Sequence, residues 1–202
     1  MRYSLKIALS SILGAMAIAI SLTFRGIPFP IAPFLKIDFS EIIDLLALYL
    51  GGWWVALAVA TVHFLGLMVN TQHLIGPPMK YIAVLSMYLG IYIGGKLFNM
   101  GNPSLDLKAL AISITSSSIV RALAMIAVNI LVLLYVAPEF YVFFENQLAM
   151  ITGTKPSTID VFLYVSYIIG SYNIIQTIFA FIPVYILVKV IKRHITLAES
   201  SG

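Results

Sequence analysis

The 202-residue chain is 61% hydrophobic and only 10% charged, carries a net charge of +4 and contains no cysteine. Soluble domains carry about 25% charged and 45–50% apolar residues, so the composition specifies an integral membrane protein in a lipid bilayer. It leaves no length for a separate soluble domain, and it excludes disulfides, thiolate metal sites and a cysteine nucleophile. The positive charge is too small and scattered for a nucleic-acid partner and fits cytoplasmic anchoring of membrane helices.

Residues 1–24 resemble a signal peptide, but the apolar run continues without a convincing cleavage site and reads as a retained helix over about 4–24. Within it Ser10, Ser11, Gly14, Ala15, Ala17 and Ala19 form a small-residue surface. Residues four apart, such as Ala15 and Ala19, make a flat face on which another helix can approach closely. Spacing alone favours internal packing for that face. Arg25 to Pro30 stops the helix, and prolines 28, 30 and 33 stiffen the loop that follows.

The stretch Pro33-Phe34-Leu35-Lys36-Ile37-Asp38-Phe39-Ser40-Glu41-Ile42 is the first strongly polar interruption. Charges persist at the hydrocarbon edge when they pair or face a ligand or water cavity. The plainer reading is a surface loop with Ser40 as a helix N-cap. Further helices are expected over about 40–50, 53–69, 79–98, 107–136 and 161–191, with breaks at Gly51-Gly52, Asn70–Pro78 and Asn99–Asp106. Glycines 90, 94 and 95 allow close packing of the fourth. Residues 137–160 read as the longest polar loop, and Gly170-Ser171 as a site where the last segment could break.

Six spans place Arg2, Lys6, Lys96, Lys108, Lys189, Lys192 and Arg193 on one side and Arg25, Lys36, Lys80 and Lys155 on the other. Seven against four predicts both termini in the cytoplasm. The loops 25–40 and 137–160 then share the outer face, as do Asp38, Glu41, Glu139, Glu145 and Asp160. The whole chain, 1–202, reads as a single domain, an all-α bundle of six transmembrane helices.

Arg121 lies mid-span, where a permanent charge needs a partner, and Asp44 is the expected one. Asn129 follows on the same helix, nearer the outer face. Tyr172, Asn173, Gln176 and Thr177 form a polar patch on the last helix. Such amides serve either as interhelical glue or as ligand contacts. The three histidines lack metal-ligand spacing, so no metal site is expected. No phosphate loop or serine-hydrolase elbow is present, so neither a catalytic residue nor a resident cofactor is expected.

The stretch Phe34–Ile42, together with Ile119-Val120-Arg121, Asn129 and Tyr172-Asn173-Ile174-Ile175-Gln176 in that order, resembles the substrate-binding S-components of energy-coupling factor (ECF) vitamin transporters, especially the riboflavin type. Ala15-x-x-x-Ala19 resembles the small-residue motif through which S-components meet the coupling subunit. Three places depart from the riboflavin type. Gly51-Gly52 stands where Gly-Pro is usual, His63-Phe64 stands where Lys-Asn is usual, and Gly-Glu-x-x-Asn-Phe has no clear counterpart, Gly76-Pro77-Pro78-Met79-Lys80 lying nearby.

The resemblance implies a high-affinity plasma-membrane vitamin receptor, riboflavin being its ligand. A membrane T-component and two ATPases would topple it to release the vitamin inside. It further implies a site of Leu35, Lys36, Asp38, Phe39, Lys80, Asn129, Tyr172, Asn173 and Gln176, with Ala15 and Ala19 at the partner interface. Asn129 and Asn173 are expected to face each other across a pocket beneath residues 33–40, with Lys36, Asp38 and Lys80 at its rim and Arg121 serving fold support. The alternatives are another vitamin or small metabolite, or a stand-alone ion-coupled transporter or channel using Arg121 and Asp44 as a charge relay.

Overall fold

The computed structural model describes residues 3–24, 26–70, 74–100 and 106–200. The expectations for Arg2 and Arg25, and for residues 71–73 and 101–105 within the breaks expected at Asn70–Pro78 and Asn99–Asp106, lie outside that range. Helix α1 (Tyr3–Thr23) leads into a two-stranded hairpin, β1 (Ile27–Phe29) and β2 (Ala32–Ile37). There follow α2 (Ser40–Gly51), α3 (Trp53–Asn70), α4 (Gly76–Leu97), α5 (Leu107–Leu131) with a π-helical continuation (Val132–Val136), α6 (Glu139–Thr152) and α7 (Thr158–Ser200). Among the described residues, three helical segments are long and apolar enough to cross a membrane: Tyr3–Thr23, Leu107–Val136 and Thr158–Ile191.

Helix α2 is the centre of the molecule. Every residue from Ser40 to Tyr49 is buried, Glu41 and Asp44 included, which is the signature of a helix enclosed on all sides. Its 12 residues span about 18 Å at 1.5 Å per residue, well short of a hydrocarbon core of about 30 Å. Helices α1, α3 and α7 pack around it. The chain reverses at Gly51-Gly52, where Gly52 has φ +77° and donates to Leu48 O at 3.0 Å. The reversal is sharp enough that Asp44 and His63, nineteen residues apart, are bonded at 2.9 Å.

Two expectations need correction. The segment 137–160 is not simply a polar loop. It contains α6, because Phe140, Tyr141, Phe144 and Leu148 recur at helical spacing among its polar residues, and Phe144 is buried. Gly153, at φ +70°, ends that helix in the left-handed conformation glycine tolerates best. Nor does α7 break at Gly170-Ser171. Gly170 is buried against Ile126 of α5, so the position serves close packing. Within the expected 25–40 loop, residues 27–37 form the β-hairpin, with Ile27 opposite Ile37 and Pro28 opposite Lys36. A two-stranded ribbon tolerates prolines because both strands are edges.

Candidate ligand-binding site

Asp38 holds the junction between β2 and α2. Its Oδ1 accepts from Ser40 N at 2.8 Å and from Ser40 Oγ at 2.6 Å. Asp38, rather than Ser40, therefore satisfies an orphan amide at the start of α2. Its Oδ2 is ion-paired to Lys80 Nζ, which also donates to Ser40 Oγ at 2.6 Å. Burial pushes the Asp38 carboxyl up, but the ammonium and these hydrogen bonds outweigh it and hold the group below the ordinary carboxylate range. Gln176 of α7 grips the same residue from the other side. It accepts from Asp38 N at 2.9 Å and donates to Asp38 O at 2.8 Å. Tyr172 Oη donates to Lys36 O at 2.7 Å.

One turn deeper, Arg121 of α5 is 1% exposed and bonded through all three of its nitrogens. Its two terminal nitrogens donate to Glu41 Oε2 at 2.5 Å and Oε1 at 2.9 Å, and its Nε donates to Asn173 Oδ1 at 2.9 Å. This bidentate geometry suits a planar guanidinium and a carboxylate. The expected Arg121–Asp44 pair is not formed: Asp44 is bonded to His63 instead. Glu41 and Asp44 sit three residues apart on a helix buried all round, so either could have met α5, and the rotation of α2 presents Glu41.

Between these two ion pairs lies a cavity of about 170 Å³. Leu35, Asp38, Lys80, Asn129, Tyr172 and Asn173 line it, as do Arg121, Glu41 and the apolar side chains of Met79, Ala83, Met125 and Ile169. Both amides donate to the carbonyl four residues back on their own helix, Asn129 to Met125 O at 2.7 Å and Asn173 to Ile169 O at 2.9 Å. Of the other expected site residues, Lys36 is exposed and meets the site through its backbone carbonyl. Phe39 turns away, its ring edge-on to Phe24 and Phe179 at 5.0 Å. Gln176 clamps the loop without lining the cavity. Glu41 also lines the cavity and is not among the expected site residues, although its place three residues after Asp38 is a signal for it.

The family model described as "ECF transporter, substrate-specific component" matches residues 5–188. The chain belongs to that family. A solved structure described as the S component of a bacterial ECF transporter is similar in fold, with a TM-score of 0.63, 23% identity, and coverage of 96% of this chain and 97% of that one. No curated protein matches the sequence. An S-component is the substrate-binding membrane part of a transporter rather than an enzyme, and its family works with a T-component and ATPase subunits. In this S-component Ala15 and Ala19 are exposed on α1. The face that packs internally is a different one: Gly14 meets Val62, and Ile18 meets Gly66 of α3.

Proposed function

We propose that this S-component captures a vitamin in the cavity between the Asp38–Lys80 and Arg121–Glu41 pairs, with riboflavin as the leading ligand, and delivers it through a T-component and two ATPases. The observation that carries the reading is the meeting of Asn129, Asn173 and Tyr172 with the Asp38 loop at one cavity. Amides both donate and accept, which suits the polar edge of a flavin ring, while Leu35, Met79 and Ile169 supply apolar surface. The cavity is smaller than the roughly 300–1,000 Å³ of pockets that bury drug-sized ligands. A three-ring ligand therefore requires the hairpin and α6 to move outward. Phe34, which lies edge-on to Phe143 and Phe144 at 5.7 Å, is the contact that must separate.

A second reading is a smaller, charged metabolite, favoured by two acids and two bases on the walls of so small a space. Mass spectrometry of the ligand released by denaturing the purified protein separates the two. A flavin mass with yellow colour is expected, and a colourless preparation without a flavin-induced thermal shift overturns riboflavin. The stand-alone ion-coupled alternative has less support, since Arg121, Glu41, Asp38, Lys80, Asp44 and His63 are all mutually paired.

Asn129→Leu is expected to weaken ligand binding by roughly ten- to hundredfold, about 1–3 kcal/mol for a lost buried hydrogen-bond partner. The fold should survive, because among the described residues the side chain's hydrogen bond is to its own helix. Unchanged binding in well-folded protein places the ligand elsewhere. Replacing both Ala15 and Ala19 by leucine should leave ligand binding intact and weaken T-component association. Two exposed methyls become bulky groups that keep another helix from close approach. Co-purification of the T-component at wild-type yield counts against that interface.

A further inference from the structure

Lys80 has a second set of partners, on the side away from the ligand cavity. Its Nζ donates to Ser21 Oγ of α1 at 2.7 Å, and Ser21 Oγ lies 2.8 Å from His63 Nε2 of α3. His63 Nδ1 in turn lies 2.9 Å from Asp44 Oδ2 of α2. Asp44 is 0% and His63 3% exposed.

An ammonium only donates, so Ser21 Oγ accepts from Lys80. A hydroxyl keeps a second lone pair beside its one proton, so Ser21 can bond His63 Nε2 as donor or as acceptor. The bonds run from Lys80 through Ser21 and His63 to Asp44 and tie together α4, α1, α3 and α2. Among the described residues, Ser21 makes the only side-chain hydrogen bonds from α1 to another helix.

The order acid, imidazole, hydroxyl is the one that activates a serine nucleophile. Here the adjoining void is only about 10 Å³, lined in part by Asp44, His63, Lys80 and Tyr81, which is room for one water and no substrate. The consequence of the arrangement therefore falls on Lys80, which borders both this void and the ligand cavity.

We propose that Ser21, His63 and Asp44 form a positioning relay that orients the Lys80 ammonium in the ligand cavity. Ser21 Oγ takes one Lys80 proton, while Asp38 Oδ2 and Ser40 Oγ take the others, so three oxygens hold the ammonium in one orientation. His63 anchors the Ser21 hydroxyl, and Asp44 anchors the ring.

The ligand half of this inference rests on the proposed function, whereas the relay rests on geometry alone, and the test keeps them apart. The first arm uses ligand-free protein labelled with ¹⁵N-histidine, in which only three histidines must be told apart. The His63 Nε2 signal, assigned by its loss in His63→Gln, should move in both Ser21→Ala and Lys80→Met. A resonance indifferent to both changes overturns the relay.

The second arm titrates riboflavin by fluorescence. His63→Gln should lose roughly tenfold in affinity, the value of one hydrogen bond, and Ser21→Thr, which keeps the hydroxyl, should bind like the wild type. Wild-type affinity in His63→Gln overturns the proposal. If His63→Gln does not fold, half-buried Ser21→Ala cuts the relay in its place. If wild type binds no riboflavin, the ligand reading fails and the first arm still decides the relay.

Discussion

Arg121→Leu is expected to be the most damaging single change in the bundle, with a loss of about 3–5 kcal/mol as for other broken buried ion pairs. The guanidinium is almost wholly enclosed and makes three hydrogen bonds to Glu41 and Asn173. Removing it leaves the Glu41 carboxylate buried and unpaired, and frees the Asn173 carbonyl as well. The cost arises mainly from that orphaned charge. Replacing both members by leucine, Arg121→Leu with Glu41→Leu, should therefore recover much of the stability, because apolar substitutes for a whole buried pair are often neutral. Heating the detergent-solubilised variants and measuring the folded fraction tests this. A wild-type melting profile for the single variant, or a double variant weaker than both singles, overturns the account.

Gly90→Ala is expected to be nearly as severe for a purely steric reason. A Cβ at Gly90 would stand 2.4 Å from Ser117 Cα and 2.8 Å from Ser116 O. These are backbone atoms of α5, so no side chain can turn aside, and α4 must move away from α5. Overpacking of this kind costs about 1–3 kcal/mol and occasionally more. The displacement also separates Lys80, on α4, from Arg121, on α5, so ligand affinity should fall together with thermal stability. Gly76→Ala is the matched control, since nothing lies within 4 Å of the place its methyl group would take and its φ is not positive. Equal melting temperatures for the two variants would remove the packing argument.

Much of this was legible in the chain itself. Glycines 90 and 94 announce a close helix contact because only a missing side chain permits one, and both meet α5 in the fold. The polar stretch around Asp38 announces an ordered junction because charges at the hydrocarbon edge need partners. Helix α6 was harder to see. Its glutamates, Asn146 and Gln147 give it a loop-like composition, and only the placement of Phe144 beneath the hairpin reveals which side is apolar. Phe39 and Gln176 are adjacent in motif to cavity residues yet face other partners, because a residue's neighbour in sequence points elsewhere on a helix or turn.

The membrane class, the family resemblance, the approximate helix positions and the presence of buried charge could all be read from the chain alone. Those follow from composition, motif and periodicity, which are local properties. The pairing of that charge came from the fold. Arg121 had two acids within reach on α2, and the choice of Glu41 left Asp44 to His63, His63 to Ser21 and Ser21 to Lys80. The physical reason is that pairing depends on the rotation of α2 inside its ring of neighbours. That rotation is set by the packing of every helix around it and by no single segment of the chain.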